Sequence, residues 1–74
     1  MKLKNLGSNK TQLDLGNGIV IFFSYQTPVA GCDDEGCFRT DKKWSTTTSK
    51  HINQWLSGSN ARLVSQNWID DLVK

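Results

Sequence analysis

The chain has 74 residues, with nine Lys and Arg against seven Asp and Glu, and a formal net charge of +2. A chain of this length buries only roughly 60% of the surface that its unfolded form exposes, which argues against an elaborate enzyme with a deep cleft. The charge imbalance is also smaller than the dense basic stripe of a dedicated nucleic-acid binder. The bulk properties therefore predict one small domain, residues 1–74.

Targeting and membrane signals are missing from the sequence. No stretch approaches the roughly 18 apolar residues of a membrane-spanning helix, and the basic start MKLKNLGSNK lacks the apolar centre of a secretion signal. We therefore expect a cytosolic protein with no membrane partner. In that reducing compartment free thiols are the default for Cys32 and Cys37, although a four-residue hairpin loop between them is compatible with a disulfide.

Metal and cofactor chemistry is not indicated. A zinc site needs about four ligands, usually at close spacing, whereas this chain offers two cysteines and one distant histidine. No glycine-rich loop followed by a lysine indicates a nucleotide site. We predict no metal and no cofactor.

The first part of the chain carries strand and turn patterns. Residues 3–6 predict a short first strand, and residues 11–15 alternate apolar and polar side chains as a half-buried strand does. The Asn17-Gly18 pair then predicts a hairpin turn. The apolar, β-branched and aromatic run 19–25 favours a central strand covered on both faces, or on one face with an apolar patch outside.

A second hairpin is predicted after this strand. Pro28 has no N–H to give to a central ladder, so the chain bends, bulges or ends a strand there. Residues 29–32 and 37–40 are then the arms of a hairpin with an acidic tip between them.

Two helical patterns complete the chain. The first has an apolar face with the helical spacing of Thr48, Ile52, Trp55 and Leu56. Ser45 or one of the threonines after it caps the start, and Gly58 is placed to end the helix. Ser65 caps a final short helix whose shared face is formed by Trp68, Ile69, Leu72 and Val73.

Strands followed by helices predict an α+β fold. We expect a small antiparallel β-sheet of three to five short strands at about residues 2–43. Two helices, at about 46–57 and 66–73, follow and pack on one face of the sheet. The segregation of strands and helices argues against a parallel βαβ fold.

His51 is the only side chain whose unperturbed pKa lies near neutrality. A catalytic pair would need a Cys or Ser beside it, and nothing in the spacing brings one there. We therefore favour a structural or hydrogen-bonding role for His51 over a role in a binding site. Catalysis is the least favoured alternative, and the chain is predicted not to be an enzyme.

Several cations and one tryptophan lie close together in sequence, around the junction between the last predicted strand and the first predicted helix. One interpretation is a set of solvated charges beside a capped helix start. One functional interpretation is a binding surface in which the tryptophan is a hot spot for a protein or a stacking platform for a base. Another is an anion-binding site at the start of the helix. The candidate binding residues are Arg39, Lys42, Lys43, Trp44 and Lys50.

Two segments resemble a family of small uncharacterised proteins common in bacteriophage and mobile-element sequences. They are FSYQTPVA at residues 23–30 and KWSTTTSKHINQWL at residues 43–56. In that family a YSYxTPVA strand precedes a short hairpin and a KxSxTTSxHINxWL helix start, and the similarity covers about residues 11–57. The Cys32 to Cys37 segment departs from the pattern. The family has no settled activity, so the resemblance implies a viral or mobile-element origin and the cytoplasm of an infected bacterial host.

The resemblance also suggests a second site. If residues of the two segments form a common site, that site lies where the bend of the strand at Pro28 faces the start of the first helix. Those residues are Tyr25, Thr27, Pro28, Thr47 and His51.

We therefore predict a small non-enzymatic binding protein, a phage accessory protein that docks on a host or phage protein; inhibition of a host enzyme or defence factor is one role that such docking could serve. The alternative function is nucleic-acid binding through the surface of Arg39, Lys42, Lys43, Trp44 and Lys50, and a small hydrolase using His51 is the least favoured. An exposed edge strand in so small a sheet is compatible with a homodimer.

Overall fold

The computed structural model of the protein describes residues 2–73. Within this range, the elements in chain order are β1 (Lys2–Gly7), β2 (Lys10–Asp14), β3 (Val20–Ser24), β4 (Thr27–Asp33), β5 (Gly36–Thr40), α1 (Thr46–Leu56), β6 (Ala61–Val64) and α2 (Gln66–Leu72). The strands form one sheet in the order β1-β2-β3-β4-β5-β6. Neighbouring strands are antiparallel except β5 and β6, which are parallel. The fold is α+β, as predicted.

The topology differs from the prediction in two ways. The described residues form six strands rather than three to five, because Ala61–Val64 pairs with β5 as β6. The succession of β5, α1 and β6 is also a parallel βαβ unit, which the order of the elements argued against. A four-residue strand that pairs across a helix has neither a hairpin signal nor a long enough pattern to reveal it.

β3 is buried on both faces. Ile21 and Phe22 are adjacent in β3, and both are 0% exposed. Successive side chains of a strand point to opposite faces, so these two residues belong to separate cores. Phe22 packs with Ile52 and Leu56 of α1, whereas Ile21 packs with Ile69 of α2. The helices therefore cover opposite faces, called here the α1 face and the α2 face, and the prediction that both pack on one face is wrong.

The ladder between β3 and β4 contains a bulge beside Pro28. Phe22 pairs with Ala30 and Phe23 pairs with Pro28, which leaves Val29 as the extra residue. The bulge accommodates the missing proline N–H, one of the three outcomes that the sequence predicted. It also places Val29 in the core of the α1 face.

Both helices begin at serine caps. The Ser45 Oγ accepts a hydrogen bond from the Thr48 N–H at 3.1 Å, so Ser45, rather than a following threonine, caps α1. Ser65 caps α2 in the same way. α1 ends where Ser57 and Gly58 adopt left-handed backbone angles, φ 50° and 81°. No helix within residues 2–73 is long and apolar enough to cross a membrane.

Cys32 and Cys37 form a disulfide across the β4-β5 hairpin. The two residues are direct partners in the ladder, with Cα atoms 3.9 Å apart, so their side chains lie on the same face of the sheet. Cys37 also packs against the core of the α1 face. The expectation of free thiols is corrected here, because the register of the hairpin brings the two sulfurs together.

Removing this disulfide is expected to lower the free energy of unfolding by about 2 kcal/mol, since the bridge restricts a loop of about six residues in the unfolded chain. Urea unfolding of the wild type is compared with that of C32A/C37A, and wild type kept in reductant is the control. Two thiols that react readily in the folded, air-oxidised protein would contradict the bridge.

Gly31 allows the close approach of β4 to a phenylalanine on the α2 face. A Cβ at this position would lie 2.5 Å from Phe38 Cζ and 2.6 Å from the Val20 carbonyl oxygen. We expect G31A to lower the free energy of unfolding by about 2 kcal/mol, measured by urea unfolding. Adding F38L, with F38L alone as reference, relieves one of the two clashes and is expected to recover part of the loss. Equal stability of G31A and wild type would refute the close approach.

Candidate functional site

The junction between β5 and α1 forms an open groove of about 370 Å³. One wall is α1, the other is β6, and the connection from β5 to α1 closes one end. We call it the Trp44 groove and define it by six of its lining residues, Arg39, Lys42, Lys43, Trp44, Ile52 and Leu63. Four of the five predicted binding residues thus lie together, while Lys50 lies outside the lining, exposed on α1.

Trp44 is 42% exposed and is nevertheless held in place. Its Nε1–H donates to Gln66 Oε1 at 3.1 Å, and Lys42 Nζ lies 4.1 Å from the centre of its ring. The Gln66 amide in turn donates to the Pro28 carbonyl at 2.7 Å and to Asp70 at 3.0 Å. The first turn of α2 therefore positions a side chain that lines the opposite face of the sheet. Sequence reasoning missed Gln66, because no local pattern links it to a residue 22 positions earlier.

The groove combines an apolar surface with charges of both signs. Leu63 is 69% exposed at the β6 wall, beside the cations. Arg39 donates to Asn53 Oδ1 of α1 at 3.0 Å, so its guanidinium is fixed along the other wall. Asp41 also lines the groove, and Asp70 lines an adjoining hollow that shares Trp44. An apolar centre with a mixed polar rim is the usual anatomy of a protein-binding site.

The second predicted site is assembled only in part. The rings of Tyr25 and His51 have their centres 6.0 Å apart, so these two residues meet where β3 ends. Thr27 and Pro28 lie at the start of β4, and both are directed to α2: Thr27 lines a hollow with Gln66, and the Pro28 carbonyl accepts from the Gln66 amide. Thr47 is exposed on α1.

The partner of His51 that sequence reasoning missed is Ser24. The Ser24 Oγ lies 2.9 Å from His51 Nδ1 and 3.3 Å from Thr48 Oγ1, and Ser45 Oγ lies 3.2 Å from the same Thr48 oxygen. The sequence spacing did not indicate the contact between Ser24 and His51, which joins residues 27 positions apart. Ser24 is only 2% exposed. This row of four polar side chains ties the start of α1 to the end of β3.

Metal ligands are not grouped in the described part of the chain. Within residues 2–73, no three His, Cys, Asp or Glu side chains lie close enough together to hold a metal ion.

Comparison with known protein families gives a match over almost the whole chain. A family model described as a family of unknown function, DUF8033, matches residues 1–71. No curated protein and no solved structure matches the chain. The match extends beyond residues 11–57, where the resemblance noted above lies, and takes in all six strands and nearly all of α2.

The polar row is expected to stabilise the fold through Thr48, which is 6% exposed. T48V keeps the shape of the side chain and removes its hydroxyl. The hydroxyls of Ser24 and Ser45 then each lose the hydrogen bond that they make to Thr48 Oγ1. We expect a loss of about 1–2 kcal/mol in the free energy of unfolding, measured by urea unfolding. T47V, one residue earlier and exposed, is the matched control and should stay within about 0.5 kcal/mol of wild type. Equal losses in the two variants would show that the row contributes nothing.

Proposed function

Since the chain belongs to the DUF8033 family, whose function is unknown, we propose its function from its surface: it is a small non-enzymatic protein that docks a protein partner in the Trp44 groove. The observation that carries the proposal is a half-exposed tryptophan that is fixed by Gln66 and lines the same groove as the exposed Leu63. Tryptophans of this kind dominate the energetics of protein interfaces. A side chain that is already fixed loses little entropy on binding, which makes Trp44 an efficient anchor.

The resemblance to phage and mobile-element proteins supports a setting for this binding. Residues 43–56, the more specific of its two segments, contain Trp44 and the whole of α1, which is one wall of the groove. We therefore place the protein among phage accessory proteins that act in the cytoplasm of an infected bacterial host, where its Cys32–Cys37 bridge is an exception to the usual reduced state of thiols. Its partner is a host or phage protein.

A binding role is also favoured over catalysis by the surroundings of the histidine. The hydroxyl beside His51 belongs to Ser24, which is buried and also forms a hydrogen bond with the Thr48 hydroxyl. A nucleophile must reach the substrate, and this oxygen is enclosed between β3 and α1. The Ser24–His51 contact is therefore assigned to the fold.

The alternative is nucleic-acid binding through the same basic surface, with a base stacked on the exposed tryptophan. Three observations favour a protein instead. Lys50 lies outside the groove, and Arg39 is engaged by Asn53. Asp41 and Asp70 lie beside the tryptophan, so the cations form a short cluster rather than the continuous basic track that a phosphate backbone follows.

Trp44→Ala is expected to reduce capture of the partner at least tenfold, because it removes the central anchor of the groove. The measurement is a tagged pull-down from host lysate followed by mass spectrometry. Leu3→Ala is the matched control, since Leu3 is apolar and 72% exposed at the other edge of the sheet. Circular dichroism of both variants confirms that they are folded. Equal capture by wild type and Trp44→Ala would overturn docking in the groove.

Nuclease and salt separate the two functions. A protein complex is expected to survive nuclease and to depend less steeply on salt than a nucleic-acid complex does. Nucleic-acid binding would instead weaken by about one unit of log–log slope for each phosphate neutralised. Capture that is lost after nuclease treatment would replace the proposed function with the alternative.

A further inference from the structure

The two edges of the sheet are unlike in their protection. At one edge, β1 carries Lys2 and Lys4 and has a shift in register with β2, and lysines and bulges discourage the pairing of edge strands. At the other edge, the sheet of the described residues ends at β6. Its one charged residue, Arg62, is held by Asp33 at 2.9 Å. β6 therefore has neither of the protections that β1 has.

The backbone at the centre of β6 is oriented for pairing. The Val64 carbonyl accepts a hydrogen bond from the Asp41 N–H at 2.8 Å, on the side of β5. Hydrogen-bonding groups of successive residues in a strand point to alternate sides, so the N–H and C=O of Leu63 point away from β5. The same residue contributes its exposed side chain to the Trp44 groove. The open edge and the groove are thus one continuous surface.

We propose that the partner presents an extended segment of alternating acidic and apolar residues, which adds to β6 as a seventh strand. This rests on the proposed function, whose partner it specifies. The segment's backbone bonds to Leu63, as in other complexes formed by strand addition. Because successive side chains of a strand point to opposite faces, the acidic side chains of the segment all lie on the side of the groove. Arg39, Lys42 and Lys43 select carboxylates there. A second copy of this chain does not meet the requirement, because it would bring the same three cations to the same edge.

The test titrates the isotope-labelled protein with the synthetic peptide EVDVEVD and follows the backbone amide shifts. We expect changes at residues 61–64 and at the Trp44 indole N–H. Two control peptides are KVKVKVK, which reverses the charge, and EVDVEVD with every amide N-methylated, which cannot form a strand. Each should bind at least tenfold more weakly. No binding of EVDVEVD, equal binding of a control peptide, or changes confined to residues 2–7 overturns strand addition.

A protein variant separates this inference from the proposed function. Leu63→Pro removes an N–H that points outward and leaves the bonds to β5, and proline is tolerated at edge strands in this orientation. We expect Leu63→Pro to lower the affinity for EVDVEVD at least fivefold and to abolish capture of the partner. Leu63→Ala, which keeps the backbone N–H, is the reference variant. Capture that is lost in Trp44→Ala and kept in Leu63→Pro overturns strand addition while the proposed function stands. Capture kept in Trp44→Ala overturns both.

Discussion

The fold depends on the burial of two consecutive residues of β3. Ile21 and Phe22 point to opposite faces of the sheet and both lack solvent contact, so each face needs its own apolar cover. α1 supplies one cover and α2 the other. To place successive helices on opposite faces, the chain has to pass the edge of the sheet between them, and β6 makes that passage. The Trp44 groove is the space that remains between the first helix and this passing strand.

The same constraint links the groove to both cores. Trp44 lies in the connection from β5 to α1, yet its indole N–H is held by Gln66 at the start of α2. Gln66 is in turn bonded to the carbonyl of Pro28, beside the bulge of β4. A contact at Trp44 is therefore supported from the opposite face of the sheet. Trp44 is thus held in place although it is 42% exposed.

Local features of the fold are predictable from the sequence, and contacts between distant segments are not. Ser65 as a helix cap and the disturbance of β4 at Pro28 follow from the chemistry of single residues. The strand Ala61–Val64 is too short to show a period, and it pairs with a strand on the far side of α1. The contact between Ser24 and His51 joins residues 27 positions apart that share no motif spacing. The prediction that both helices pack on one face failed for the same reason, since an apolar run at consecutive positions does not say which side a helix takes.

The candidate site was predictable in composition and not in shape. A run of cations around one tryptophan is visible in the sequence, but the exposed leucine that completes the groove comes from the unpredicted strand β6. The most direct measurement of docking in this groove is photo-crosslinking in host lysate from p-benzoylphenylalanine placed at Ser49, an exposed residue of the α1 wall, with Leu3 at the far edge as reference. Docking in the groove predicts a nuclease-resistant protein adduct from position 49 and none from position 3. Adducts from position 3 alone, or adducts to nucleic acid, would contradict it.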